Sequence, residues 1–333
     1  MRVLGIFLIS CLSVAGLYSC KGDGNTLKPS VSGKAGEIIV VTNKANWESE
    51  IGSELRSILA ADYPFLPQKE PAFTLINVSN KDFKSIFQIH RNIIIVNIDP
   101  QLKEAKMIAQ EDLWAAPQTV VTLSAPNEKE AALLIEQNKE KLYSIMSQAE
   151  RNRIIRNSKL YEESSLRKLV ADDFGGSPYF PKGYSLKKRA EDFTWISYET
   201  TYTNQGIFIY RIPYKDSTSL TLDNLIAARN EIMEKNVPGM VENSYMTTSM
   251  EQTPRLNWIK YKNRDFAEIR GLWEVQNDFM GGPFVAHAFY DKKNSDIIVL
   301  EGFVYAPRYD KRNYLRQVES ILYSFDWKED FNK

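Results

Sequence analysis

The spacing of apolar residues changes near residue 175, and that change sets what this chain can fold into. Before it, apolar residues come in short unbroken runs separated by stretches at helical spacing. Glu37-Ile38-Ile39-Val40-Val41-Thr42 predicts a strand buried on both faces, since a half-exposed strand alternates. Phe73–Val78, Asn92–Ile98 and Thr119–Leu123 have the same form. Trp47, Ile51, Leu55, Ile58 and Leu59 recur every three or four residues. They predict a helix over 46–61, stopped by Pro64 and Pro67. Asn127 with Glu130 three residues on predicts a second helix start, a variant of the capping box. Its apolar stripe runs from Ala131 through Met146 and persists to Leu169, so the helix is long or broken. Residues 36–172 are expected to form an α/β layer.

Asp173–Pro178 contains Gly175 and Gly176 and predicts a hinge. The segment 177–327 then reads as strands with tight turns. Phe193–Tyr202 and Ile207–Pro213 flank Asn204-Gln205-Gly206, the expected hairpin turn. Leu222–Asn236 is an amphipathic helix ended by Pro238 and Gly239. Strands are expected at Arg255–Tyr261, Phe266–Trp273, Phe284–Asp291 and Asp296–Tyr305, and a closing helix at Lys311–Phe325. The predicted fold class is mixed α+β and α/β. An N-terminal α/β layer with a long helix precedes a mostly antiparallel C-terminal sheet flanked by helices, an α/β sandwich. This order of elements resembles the small α/β/α binding folds of the photosystem accessory protein type, a likeness of fold alone.

The first residues carry an address. Arg2 is followed by an apolar stretch from Val3 to Leu17, the pattern of a secretory signal. A spanning helix needs roughly 20 apolar residues, so the stretch is short for a permanent anchor. Leu17-Tyr18-Ser19-Cys20 resembles the lipobox of bacterial lipoproteins, with Tyr18 bulkier than usual. The resemblance implies cleavage of a signal peptide over 1–19 and acylation, palmitate included, of Cys20. Residues 20–35, rich in Gly, Ser and Lys, are expected to be a flexible lipidated linker. Lys21 in place of Asp, by resemblance to Gram-negative sorting rules, implies the outer membrane, and the lack of a dense acidic run after Cys20 implies a periplasm-facing lipoprotein. The expected membrane contact is the lipid on Cys20.

Composition excludes several functions. The 42 basic and 42 acidic residues cancel, which removes the electrostatic case for nucleic acid. Cys11 and Cys20 are the only cysteines, so the processed body has no disulfide and no thiol nucleophile. There is no phosphate-cradling glycine loop, no nucleophile elbow and no His-Glu-x-x-His. With His90 and His287 the only histidines, no metal and no cofactor is expected.

Asn277-Asp278-Phe279-Met280-Gly281-Gly282-Pro283-Phe284 is the most suggestive stretch, expected to be a recognition loop with unusual backbone geometry. Phe279, Met280, Gly281, Gly282, Trp273, Arg270 and His287 are the candidate binding residues. Lys260, Glu268 and Arg270 fall on adjacent strands, as cross-strand charge pairs on a solvated face. Without a catalytic signature, a non-enzymatic component binding an envelope protein or glycan is favoured. The alternative is a hydrolase or transferase on envelope glycans using carboxylates such as Glu268 or Glu301. The lipoprotein start, the Gly36–Val41 opening, Arg270-Gly271-Leu272-Trp273 and Phe279–Phe284 together resemble a family of bacterial envelope lipoproteins known only as domain of unknown function 4837. The resemblance implies no activity.

Overall fold

The computed structural model describes residues 27–262 and 264–331. The expected signal peptide and Cys20 lie outside the described residues. The described chain before the first strand is held on the body. Ala116 N donates to Pro29 O at 2.9 Å, and Ser32 exchanges backbone hydrogen bonds with Ile89 and Arg91 at 2.9 and 3.1 Å. The expected linker therefore ends earlier than residue 35: from Pro29 on it is part of the fold.

β1 (Glu37–Val41) leads into α1 (Lys44–Glu48) and α2 (Glu50–Leu59). The single helix expected over 46–61 is thus two, parted at Ser49, whose extended backbone ends one and begins the other. Gly52 lets them meet: a Cβ there would lie 1.9 Å from Trp47 O. β2 (Thr74–Val78), β3 (Asn92–Ile98), β4 (Lys106–Glu111) and β5 (Thr119–Ala125) complete a sheet of order β2-β1-β3-β5-β4. It is parallel except for β4, an edge strand antiparallel to β5. The unbroken apolar runs are explained by burial of both faces. Ile38, Val40, Ile94 and Val121 enter the main core, while Ile39, Val41, Ile93 and Val120 pack on Phe83, Phe87 and Trp114. The long apolar stripe forms three helices, α3 (Glu128–Gln137), α4 (Lys139–Leu160) and α5 (Ser164–Phe174). Asn127 caps the first by accepting from Glu130 N at 3.0 Å. Gly175 closes the last in the left-handed region at φ 76°.

The C-terminal segment contains β6 (Gly176–Ser177), β7 (Ser185–Ala190), β8 (Phe193–Glu199), β9 (Asn204–Pro213), α6 (Leu222–Asn236), β10 (Met246–Ser249), β11 (Arg255–Tyr261), β12 (Arg264–Val275), β13 (Gly281–Asp291), β14 (Asp296–Tyr305), α7 (Arg312–Tyr323) and β15 (Asp326–Trp327). Eight of these strands make one antiparallel sheet of order β10-β12-β13-β14-β9-β8-β7, with β11 also on β12. The hairpin turn lies at Thr200–Thr203, closed by Thr200 N to Thr203 O at 2.8 Å; Asn204–Gly206 belong to β9. Gly206 serves packing instead: the Phe303 ring occupies the place of its Cβ.

Alternation divides this sheet between two covers. Phe208, Ile269, Phe284 and Val299 point to α6 with Leu225 and Met233. Ile209, Phe266, Val285 and Leu300 point to α7 with Leu315, Val318 and Ile321. The cluster under α7 continues through Leu142 and Met146 of α4 into Ile38 and Val40. The two segments therefore share one apolar core, with α4 and α7 packed at its centre. Among the described residues no helix is long and apolar enough to cross a membrane.

Candidate functional site

The stretch around Phe279 is a hairpin tip. Val275 N donates to Met280 O at 2.8 Å, and Asn277 takes the left-handed conformation at φ 65°. Gly281 and Gly282 are not part of a strained loop, as expected from sequence, but the start of β13, and neither has a positive φ. They permit close approach: a Cβ on Gly282 would lie 2.1 Å from Val304 O, and one on Gly281 2.9 Å from Trp273 O. Trp273 is buried, donating Nε1 to Val304 O at 3.3 Å and packing on Phe303, so it belongs to the core beneath the tip. Met280 leans on the same core. Phe279 projects fully into solvent.

A second turn stands beside the first. Gln276 N donates to Tyr245 O at 2.9 Å, and Asn277 Nδ2 to Asn243 O at 3.4 Å. This turn bares Met240 and Val241, at 88% and 53% exposure. The tip therefore gathers three exposed apolar side chains from two hydrogen-bonded turns.

Arg270 and His287 lie elsewhere, on the sheet face under α7, and both are buried. The expected solvated charge pairs are instead an interior network, because α7 covers this face. Arg270 Nε donates to Glu268 Oε1 at 2.8 Å, and its Nη2 reaches Glu319 Oε1 of α7 at 2.6 Å. Tyr63 from the N-terminal segment donates its hydroxyl to Glu319 Oε2 at 2.9 Å. Tyr323 donates to Glu268 Oε2 at 3.2 Å. Arg151 of α4 lies 3.6 Å over the Tyr323 ring. These groups line a cavity of about 230 Å³. His287 stacks on Phe266 with ring centres 4.1 Å apart, and its Nε2 is 3.8 Å from Glu268 Oε2, outside hydrogen-bond reach.

Burial alone would raise both carboxyl groups and lower the guanidinium. Their mutual attraction wins. Glu268 is held well below the usual carboxylate range, Glu319 is lowered too, and Arg270 is held well above its usual value. Burial pushes His287 down to about 4, against the opposing pull of Glu268, so it is neutral at pH 7. An acid–base pair needs two carboxyl groups whose environments push them apart. Glu268 and Glu319 are shifted the same way, and neither is a proton donor at neutral pH.

Glu301 lies on the opposite face. Its register neighbour is Ala286, whereas Glu268 pairs with His287. Glu301 receives Arg229 Nη2 of α6 at 2.7 Å, Arg229 Nε at 3.0 Å and the Tyr210 hydroxyl at 3.1 Å. Glu268 and Glu301 are thus separated by the sheet and do not flank a common substrate. Lys260 sits on β11 opposite Asp265, not opposite Glu268. Among the described residues no group of acidic, His or Cys side chains is placed to hold a metal ion.

A second, larger cavity borders α4 and α7. It contains Arg91, Glu150, Arg153 and Arg316, none of which the reading of the sequence singled out. No local motif marks them, since they come from three distant parts of the chain.

Comparison with known proteins gives domains without an activity. Residues 163–324 match the Domain of unknown function (DUF4837), and residues 31–159 match the Domain of unknown function (DUF8532). The two matches follow one another along the chain, and each covers less than half of it. No curated protein matches it. Among solved structures, it is similar to a point mutant of the protein Mog1 at 10% identity, over 46% of this chain and 90% of that one, with a TM-score of 0.30. It is also similar to the human StarD13 (DLC2) lipid transfer and protein localization domain at 11% identity, over 49% and 95%, with a TM-score of 0.22.

Proposed function

We propose that this chain is a non-enzymatic binding component of the cell envelope, tethered by a lipid on Cys20 to the outer membrane and facing the periplasm. Its partner is an envelope protein, engaged through the tip formed by Phe279, Met240 and Val241. The supporting observation is the fully exposed Phe279 beside a second apolar turn, on a hairpin fixed by hydrogen bonds and close-packed glycines. Clustered apolar side chains on a rigid edge favour a contact surface, because leaving them in water is unfavourable and a partner relieves it. Aliphatic side chains around one aromatic suit a protein groove better than a sugar ring, which calls for hydrogen-bonding groups beside the aromatic face.

Phe279→Ser tests this reading. The substitution is at a solvent-exposed tip, so unfolding stability should stay within about 0.5 kcal/mol of the parent. In-cell crosslinking of the tagged variant should lose the partner recovered by the parent, as Cys20→Ala should through mislocalisation. Equal partner recovery from the folded Phe279→Ser variant would discard the tip as the binding surface.

A further inference from the structure

The cavity between α4, α7 and the turn at Pro181–Tyr184 has a volume of about 490 Å³, within the range of small-molecule sites. Its charged lining is four cations, Arg91, Arg153, Lys182 and Arg316, against one carboxylate, Glu150. That carboxylate is already shared: Arg153 Nη2 donates to Oε1 at 2.8 Å and Arg91 Nη1 stands 3.6 Å from Oε2.

Arg316, which also borders the smaller cavity lined by Glu268 and Glu319, pairs with neither carboxylate. It is only 7% exposed and forms no salt bridge among the described residues. Its Nη2 donates to Ala72 O, and its plane packs over the rings of Phe73 and Tyr63 at 4.3 and 5.2 Å. Its Nη1 has no acceptor among the described residues. Gly36 makes room for that nitrogen: at φ 77° it has no side chain, and a Cβ would lie 2.7 Å from Nη1. A buried guanidinium with neither counterion nor full hydrogen bonding is unfavourable, and an anion brought into the cavity relieves both deficits. The remaining wall is largely apolar, with Val31, Ile154, Tyr184 and Tyr198 facing the same space.

We propose that this cavity binds a small amphiphilic anion, its acid group on Arg316 and its apolar body against Tyr184, Tyr198 and Ile154. The acid is a carboxylate or a phosphate monoester. The site is independent of the Phe279 tip.

Titration calorimetry of the full-length chain tests the assignment with decanoate and decyl phosphate as probes, decanol as the uncharged comparator and inorganic phosphate as the tail-free one. One saturable site is expected for at least one of the acidic probes, and the tighter of the two identifies the head group. Decanol and inorganic phosphate should each bind about tenfold more weakly or worse. Arg316→Met should cost the acidic probe about tenfold or more while leaving decanol unchanged. Should that variant not fold, Ala35→Trp, which fills the mouth from an exposed position, should abolish binding in a folded chain. Phe279→Ser should bind as the parent does. Absence of binding by both acidic probes, or equal binding to Arg316→Met or Ala35→Trp, overturns the proposal, as does inorganic phosphate binding as tightly as decyl phosphate.

Discussion

The two faces of the eight-stranded sheet each bury an arginine among carboxylates, and they do so differently. On the α6 face, Arg229 and Glu301 are paired one to one, 2% and 0% exposed. Thr248 and Tyr210 complete their hydrogen bonds within the same segment. On the α7 face, one guanidinium is divided between Glu268 and Glu319, and its Nη1 has no acceptor among the described residues. Tyr63 and Arg151 reach that network from the other segment. The first arrangement is a closed pair inside one layer. The second joins the strands, α7 and the N-terminal layer, and it borders a cavity. A buried ion pair adds little over an apolar replacement, but losing one partner is severe. The two arginines should therefore differ in what their removal leaves behind.

Arg270→Met should be the more damaging substitution, about 5 kcal/mol at pH 7, because it strands two buried carboxylates. Arg229→Met should cost nearer to about 3 kcal/mol, since it strands one buried carboxylate, Glu301, rather than two. Urea unfolding of both variants measures the difference, and equal losses would erase the distinction between the faces. The pH response separates them further. In the parent, both carboxyls have lowered values in the folded state, so their stabilisation is present above the unfolded value and lost as pH falls through the folded one. In Arg270→Met the two carboxyls repel and their values rise above the unfolded one. The carboxyl contribution to stability should then increase as pH falls from about 7 to about 5, a range over which it is flat in the parent and over which His287 acts alike in both.

His287 sharpens the comparison next. Its folded value of about 4 lies below the ordinary 6.5. The unfolded chain therefore takes up the proton first, and stability is lost as pH falls from about 6.5 to about 4. The full loss is on the order of 3 kcal/mol. His287→Phe should flatten that limb while leaving the stability at pH of about 8 near the parent's. An unchanged acid limb would mean that other groups set it.

The smallest effect concerns how α7 begins. The Glu70 carboxylate receives Lys311 N at 2.6 Å and Arg312 N at 2.9 Å. It caps the helix from the other segment, where an anion also suits the helix dipole. Glu70→Ala should cost about 1–2 kcal/mol by thermal unfolding. A neutral result would show that water replaces the cap freely.

Elements with strong apolar patterning were legible in the sequence. Continuous runs marked β1, β3 and β5, and α6 begins and ends where its stripe does. Two strands at sheet edges were not: β4 (KMIAQE) and β7 (SLKKRA) are largely exposed and lack the apolar signal that burial imposes. Glycine misled twice for one reason. Gly206 and Gly282 suggested turns, yet each sits in a strand where a ring or a carbonyl takes the space of a side chain. At the candidate sites, alternation places Glu268 and Arg270 on one face, but α7, which makes that face an interior, comes 42 residues after Arg270, at Arg312 (312 − 270 = 42). Arg316 carries no local signal at all, since its isolation is a property of the assembled cavity.

The Glu70 cap also has a consequence for assembly order. The last helix obtains its first-turn acceptor from a residue 241 positions earlier, and Tyr63 joins Glu319 across 256. Such pairings have high sequence separation, so loop-closure entropy opposes them until most of the chain is in place. The body therefore closes last where its two ends meet: the N-terminal layer waits for the final helix, and a chain cut short before residue 312 leaves the Glu70 carboxylate without the helix it caps.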